Sequence, residues 1–299
     1  MSYDLYFCRR QNDPLTKEEL IDYFNNCPHY QVLEGEQGDL QFWYENEDTE
    51  VYFSFDFCIS NEEQENTVPE GFYDTGLSFN INFLRPTFFA LEAMPLIEET
   101  AKKFDLLVID PQDHEIGGNS WPKECKADEL VTTWEKSNVF AIERINSQGE
   151  DLLHMPKEKS LLLWNYLKEK NTFQDKLGDE VFVPQIFLIQ REGEKDLHRV
   201  ITWTQAIPQI FPECEYIIVL IEKRRFGLKN KAEEGIIPYH LVISQIEQYL
   251  EPIDGPIPNL KILKPQKAAE VVDIFNGFKI DDYDDFLRVG LDNFIDIKI

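Results

Sequence analysis

Three segments between residues 40 and 83 alternate large apolar side chains with polar ones, and this pattern requires a β-sheet in the first part of the chain. The apolar positions recur at every second residue, the period of a strand with one buried face. A polar turn, residues 45–50, separates the first two segments. We therefore expect an antiparallel sheet. Its buried side would carry Leu40, Phe42 and Tyr44, then Val51, Phe53, Phe55 and Phe57, then Leu77, Phe79, Ile81 and Phe83.

One helix is predicted before the alternating segments in the sequence, and a second helix after them. Thr16 and Glu19 have the spacing of a capping box, so we expect a helix to begin there. A second helix is expected over residues 88–104, and strands over residues 3–9 and 105–110. This order predicts an α+β fold, with an N-terminal ferredoxin-like antiparallel sheet, helices on one face and the other face open.

The second half of the chain predicts another domain. Residues 113–122 contain two Gly and one Pro, the composition of a linker. We therefore expect an acidic α+β domain over residues 1–120, and a second α/β domain with a mixed sheet and C-terminal helices over residues 121–299. Its strands are expected at 139–145, 181–190, 198–207, 215–222 and 260–263, and its helices at 156–170, 238–250, 267–278 and from 281.

Negative charge is concentrated in the first part of the chain. From Glu18 to Leu84 there are 16 Asp and Glu residues and no Lys or Arg, and the whole chain has a formal charge of −27. A field of this sign repels nucleic-acid phosphates and anionic lipid headgroups, and it speeds association with a basic protein. We therefore expect a basic protein partner, and neither nucleic acid nor membrane. Acidity that serves solubility alone is the alternative.

The polar side chains that alternate with the buried ones are the candidate partner-binding residues. They combine aromatic rings with carboxylates and amides, and aromatic side chains surrounded by acids suit a Lys- and Arg-rich partner. A face covered by the second domain is the alternative interpretation. The candidates, including the acids of the intervening turn, are Trp43, Tyr52, Asp56, Glu45, Glu47, Asp48, Asn80 and Asn82.

No catalytic or cofactor motif is present in the sequence. Phosphate-binding loops, dinucleotide fingerprints, the hydrolase nucleophile elbow and zinc-deaminase motifs are all missing, so we expect no cofactor and no catalytic residues. Asp110, Asp113, His114 and Glu115 have the ligand types of a divalent-metal site. Adjacent residues seldom point at one centre, so we expect no bound metal. The alternative is an enzyme of unknown class with Asp110, Asp113 and His114 in a cleft between the domains.

The N-terminus and the cysteines predict a cytoplasmic protein. The first residues lack the apolar stretch of a signal peptide, and no apolar run approaches the length of a membrane helix, about 20 residues. The five cysteines are widely spaced, with no Cys-x-x-Cys pair, which is typical of reduced thiols. The sequence does not predict an oligomeric state.

The first strand, Ser-Tyr-Asp-Leu-Tyr-Phe, is followed by a helix capped by Thr and Glu-Glu. In this combination the sequence resembles the immunity proteins of bacterial polymorphic toxin systems. The second half is similar through 183–187, Trp203, Pro208 and 212–216. The resemblance implies a cytoplasmic antidote that binds a cognate toxin domain and occludes its active site. An acidic scaffold or regulatory subunit and the enzyme described above remain the other interpretations.

Overall fold

The computed structural model describes residues 1–35, 38–58, 68–113, 122–149, 151–223 and 231–297. They form two compact units. Unit 1 comprises Met1–Leu152 together with Asp292–Ile299, and unit 2 comprises Leu153–Leu291. The first boundary lies about thirty residues beyond the expected one at 120/121, because the helix that follows packs against the first unit, as described below.

Unit 1 begins with a strand and a capped helix, as predicted. Its elements are β1 (Ser2–Arg9), α1 (Lys17–Asn25), β2 (Tyr30–Glu34), β3 (Leu40–Asn46), β4 (Val51–Phe57), β5 (Tyr73–Asn82), α2 (Phe88–Lys103), β6 (Leu107–Ile109), β7 (Lys123–Glu124) and α3 (Ala127–Ser147). Both bonds of the capping box between Thr16 and Glu19 are present. The sheet is antiparallel, with strand order β2-β3-β4-β5-β1-β6-β7. The predicted α+β class is confirmed.

Helices α1 and α2 lie on the same face of this sheet. Phe24 of α1 stacks on Phe42 of β3 with ring centroids 4.2 Å apart. The Tyr23 and Thr100 hydroxyls of α1 and α2 are 3.4 Å apart. The apolar residues of the alternating segments point toward these helices and are buried, as the pattern predicts.

The strand expected at 139–145 is wrong, because these residues belong to α3. Its buried residues Leu130, Trp134, Ala141 and Ile142 recur at helical intervals, which outweighs the local β-propensity. Asn138 fixes α3 to the start of α2: its Oδ1 accepts from the Leu84 N–H (2.7 Å) and its Nδ2 donates to the Arg85 carbonyl (2.9 Å).

Unit 2 contains a mixed sheet, as predicted. Its elements are α4 (Lys157–Leu177), β8 (Phe187–Arg191), β9 (Leu197–Thr204), β10 (Gln209–Phe211), β11 (Tyr216–Lys223), β12 (Lys231–Pro238), α5 (Tyr239–Ile246), β13 (Leu250–Pro252), β14 (Lys261–Leu263), α6 (Pro265–Asn276) and β15 (Phe286–Val289). The main sheet has the order β12-β11-β9-β8-β15, in which β9 and β11 are parallel, and β10-β14-β13 form a second sheet. The helix expected from residue 281 is replaced by β15.

The core of unit 2 is organised around Trp203. Its ring packs edge-on against Phe211 and Phe275, with centroids 5.1 and 4.8 Å away, which joins β9, β10 and α6. Within the described residues, the helices of both units are too short or too polar to cross a membrane.

Candidate protein-binding surface

The unit boundaries place almost all of the net charge in unit 1. Residues 1–152 and 292–299 contain 34 Asp and Glu against 11 Lys and Arg, a net charge of −23, which leaves −4 for unit 2. The long-range negative field of the chain therefore originates mainly in unit 1.

Most of the predicted binding residues lie on one face of the seven-stranded sheet, opposite the face that α1 and α2 cover. We call it the polar face. Strand register places Glu45 beside Tyr52, Trp43 beside Ser54 and Gln41 beside Asp56, and on the next strand Asn80 lies beside Ser54. Asn82 pairs with Ser2 of β1. The strand alternation therefore assigned Trp43, Tyr52, Asp56, Asn80 and Asn82 to the correct face, whereas Glu45, expected in the turn, belongs to β3 and lies on the same face.

Strand β1 adds residues that the sequence reasoning did not include. Asp4 lies beside Asn80 and Tyr6 beside Ser78, so both belong to the polar face. Tyr6 is 45% exposed. The burial of Tyr3, Leu5 and Phe7 shows the same alternation as β3 to β5, and applying that alternation to β1 would have found both residues.

Two carboxylates of the polar face are held in place by neighbouring side chains. Asp56 accepts from Gln41 Nε2 at 2.8 Å and from Ser54 Oγ at 3.0 Å, one bond at each oxygen. Asp4 accepts likewise from Asn80 Nδ2 at 2.5 Å and Ser2 Oγ at 3.1 Å. A carboxylate oxygen has two lone pairs, so both groups keep acceptor capacity for a Lys or Arg of a partner.

The aromatic pair of the polar face is also fixed. The rings of Trp43 and Tyr52 stack with centroids 5.6 Å apart and an angle of 19° between planes. Trp43 Nε1 donates to Glu45 Oε2 at 3.1 Å. The Tyr52 hydroxyl accepts from Arg85 Nη2 at 2.7 Å and donates to Asp292 Oδ2 at 3.3 Å. The stack is half-buried and held from both sides.

The sequence predicted aromatic rings surrounded by acids, but in the structure Arg85 adds a positive charge beside Tyr52 and pairs with Asp292. The Arg85 guanidinium lies 5.7 Å above the Tyr52 ring, and it forms an ion pair of 3.8 Å with Asp292. Arg85 comes immediately after the segment Glu18–Leu84, which contains no Lys or Arg. Asp292 lies 240 residues after Tyr52 in the sequence. No local pattern could connect residues so far apart.

Glu47 and Asp48 lie in the turn between β3 and β4, next to the polar face. The turn is anchored to α2 by the buried Glu92, whose Oε1 accepts from Tyr44 Oη, Asn46 Nδ2 and Thr49 Oγ1 at 2.8–3.0 Å. Glu47 is exposed and Asp48 half-exposed. The turn therefore presents its acids from a fixed position.

Asp110 and Asp113 have partners within unit 1. Asp110 is buried and accepts from the Tyr3 hydroxyl and from the Gln112 N–H. Burial raises the pKa of Asp110, and the Tyr3 hydrogen bond opposes this rise. Asp113 Oδ2 forms an ion pair with Lys123 Nζ at 2.8 Å. His114 and Glu115 lie outside the described residues.

A cleft of about 800 Å³ lies in unit 1 near Asp113. Its wall includes Met1, Phe83, Lys123, Lys136 and Phe140. The lining combines a few apolar side chains with polar ones and with charges of both signs. Within the described ranges, no group of three or more His, Cys, Asp and Glu is arranged to hold a metal ion.

A cleft of about 950 Å³ lies in unit 2, lined among others by His198, Tyr239 and Glu215. Glu215 accepts from Arg199 Nε and Nη2, both at 3.1 Å, and from Lys159 Nζ at 2.6 Å. Burial alone would raise the pKa of Glu215, but these cations and hydrogen bonds outweigh it and lower the pKa to about 2. The carboxylate is therefore a stable anion, neutralised by its own neighbours.

Comparison of the chain with protein-family models, with curated proteins and with solved structures finds no match. A function for this chain has to be inferred from its own residues.

Proposed function

We propose that this chain is a cytoplasmic binding protein that occupies a basic surface of another protein and thereby blocks it, as the toxin immunity proteins that it resembles do. The observation that carries the proposal is the combination, in unit 1, of a net charge of −23 with a sheet face of fixed carboxylates and a fixed aromatic pair.

Charge supports the association step. An acidic unit attracts a basic partner over about a Debye length, roughly 8–10 Å at physiological salt, and raises the association rate. Proteins that cleave nucleic acid are commonly basic where they bind phosphate. A surface of fixed carboxylates fills such a groove and excludes the substrate.

The Trp43–Tyr52 stack supports retention of the partner. Aromatic side chains at the centre of an interface supply much of the binding free energy, and rigid ones lose little conformational entropy on binding. Trp43 is held by Glu45, and Tyr52 by Arg85 and Asp292. Both rings are thus in position before a partner arrives.

The first test is purification of the tagged chain at low salt from cells that produce it naturally, followed by a high-salt wash and mass spectrometry. We expect a stoichiometric basic polypeptide that resists the wash at least in part. A protein that elutes alone would contradict the proposal.

The second test measures affinity for that polypeptide after charge reversal on the polar face. Glu45→Lys and Asp56→Lys should each weaken binding by about tenfold or more, since like charges then face the partner. Trp43→Ala should act mainly on the dissociation rate. Asp179→Lys, an exposed position of unit 2, is the matched charge control and should leave affinity nearly unchanged. Equal affinities for all four variants would show that the polar face is not the binding surface.

A further inference from the structure

Strand β2 ends the seven-stranded sheet on one side. In the described part of the chain, β3 is the one strand that pairs with it. The hairpin is closed at both ends by backbone bonds, from Glu45 N–H to the His29 carbonyl at 3.0 Å and from Gly35 N–H to the Asp39 carbonyl at 2.8 Å. The strand is therefore firmly paired along its inner side.

The same two bonds show which backbone groups point outward. Hydrogen-bonded residues alternate along an antiparallel strand, so Gln31 and Leu33, in phase with His29 and Gly35, bond toward β3. The N–H and C=O groups of Tyr30, Val32 and Glu34 then point away from the sheet. Such a row of groups is a template for another strand.

β2 lacks the features that usually protect a sheet edge. Proteins block edges with Lys, Pro, bulges or very short strands. β2 has five residues in continuous register without Lys or Pro, and its Leu33 is 45% exposed. At the opposite edge, β7 has two residues, begins with Lys123 and follows Pro122. The two edges of one sheet thus differ sharply in protection.

Charge identifies the kind of strand that fits. No Lys or Arg lies between Glu18 and Leu84, and Glu34 at the end of β2 is exposed. A second copy of this chain would bring one unit of charge −23 against another, which opposes self-association. A strand that carries Lys or Arg is attracted.

We propose that β2 binds an extended, Lys- or Arg-bearing segment of the partner as an added eighth strand. The proposal rests on the proposed function and specifies its binding mode. Side chains of the added strand on one side lie beside Gln31 and Leu33, in the rows that continue through Trp43 and Gln41 on the polar face. Backbone bonds supply affinity and the acidic surroundings select the sequence.

The probe is a synthetic peptide of roughly seven residues, a typical strand length, in which Val and Lys alternate. It is added at low ionic strength to the full chain, labelled with ¹⁵N and deuterium. We expect slowed amide exchange at Tyr30, Val32 and Glu34, with Gln31 and Leu33 already slow in the free protein. A peptide with Glu in place of Lys should not bind.

Two substitutions of Val32 distinguish the contribution of its backbone N–H to peptide binding from that of its side chain. Val32→Pro removes an outward N–H, and we expect peptide affinity to fall about tenfold or more. Val32→Ala keeps the N–H and should stay within about threefold. Circular dichroism establishes that each variant is folded. If Val32→Pro does not fold, amide exchange in the unmodified chain decides.

Three results would overturn this binding mode. The first is peptide contacts confined to Trp43 and Tyr52, which would leave the polar face as the binding surface without the edge. The second is dimerisation through β2 in the absence of peptide. The third is no peptide binding at millimolar concentration. In each case the purification described above still decides the proposed function by itself.

Discussion

Asp296 controls the start of α2 although it lies in the segment that follows unit 2. Its Oδ1 accepts from the backbone N–H and from the hydroxyl of Thr87, both at 2.9 Å. Thr87 is the residue before α2 and makes no capping bond with its own side chain. Asp296 therefore has a capping role through Thr87, because it satisfies a backbone N–H that has no helical partner at the N-terminal end of α2, and its negative charge lies at the positive end of the helix dipole.

Replacement of Asp296 by Ala is expected to lower the free energy of unfolding of unit 1 by about 3 kcal/mol. Hydrogen bonds to a charged group contribute about 1.5–3 kcal/mol, and a buried donor left without a partner costs about 1–3 kcal/mol. Asp296 and Thr87 are 2% and 1% exposed, so water does not readily replace the lost acceptor. Asp296→Asn keeps an acceptor oxygen and should lose about 1 kcal/mol.

The assay is urea unfolding followed by circular dichroism, with amide exchange at residues 88–91 as the local measurement. Asp292→Ala is the control, because Asp292 forms a partly exposed ion pair of 3.8 Å and should cost less than about 1 kcal/mol. If Asp296→Ala unfolds at the same urea concentration as the unmodified chain, with unchanged exchange at the first turn of α2, the capping role is refuted.

Three further perturbations test the packing of each unit. Glu215 has a folded pKa of about 2 against an ordinary value of 4.5, so its stabilisation is present above pH 4.5 and is lost as pH falls toward 2. Glu215→Gln should lower the free energy of unfolding by about 3 kcal/mol at neutral pH. It should also make the urea midpoint nearly independent of pH between those two values. Glu92→Ala leaves three buried donors without their acceptor and should lower the free energy of unfolding by about 3 kcal/mol, measured by thermal unfolding. Glu92→Gln should lower it by less. Gly235→Ala should destabilise unit 2 in urea, because the added carbon would lie 2.6 Å from Ile280 Cβ; an unchanged midpoint would contradict this packing.

The features of the fold that the sequence predicted correctly are those that depend on local periodicity. Alternation of buried aromatics predicted β3, β4 and β5, and the same alternation placed Trp43 and Asp56 together on the other face of the sheet. The capping box predicted the start of α1. These features are encoded within a few residues, where side-chain direction follows directly from strand or helix geometry.

What the sequence did not predict depends on distant partners or on competing propensities. Residues 139–145 have strand-forming side chains, but their helical spacing with Leu130 and Trp134 decides their structure. β2 was missed because its pattern is short and mostly exposed, and its pairing with β3 determines it. The contact of Arg85 with Asp292 joins residues on opposite sides of unit 2 in the sequence.

The segment after unit 2 links the stability of unit 1 to its proposed binding surface. Asp296 holds the first turn of α2, and Asp292, four residues earlier, holds Arg85 and the Tyr52 hydroxyl. Both carboxylates come from one short segment, so the position of the Trp43–Tyr52 stack depends on docking of that segment. A surface fixed in advance loses little conformational entropy when a partner binds. The polar face is therefore complete only when residues 292–297 are in place, and fragments that stop before them lack part of the surface that we propose for binding.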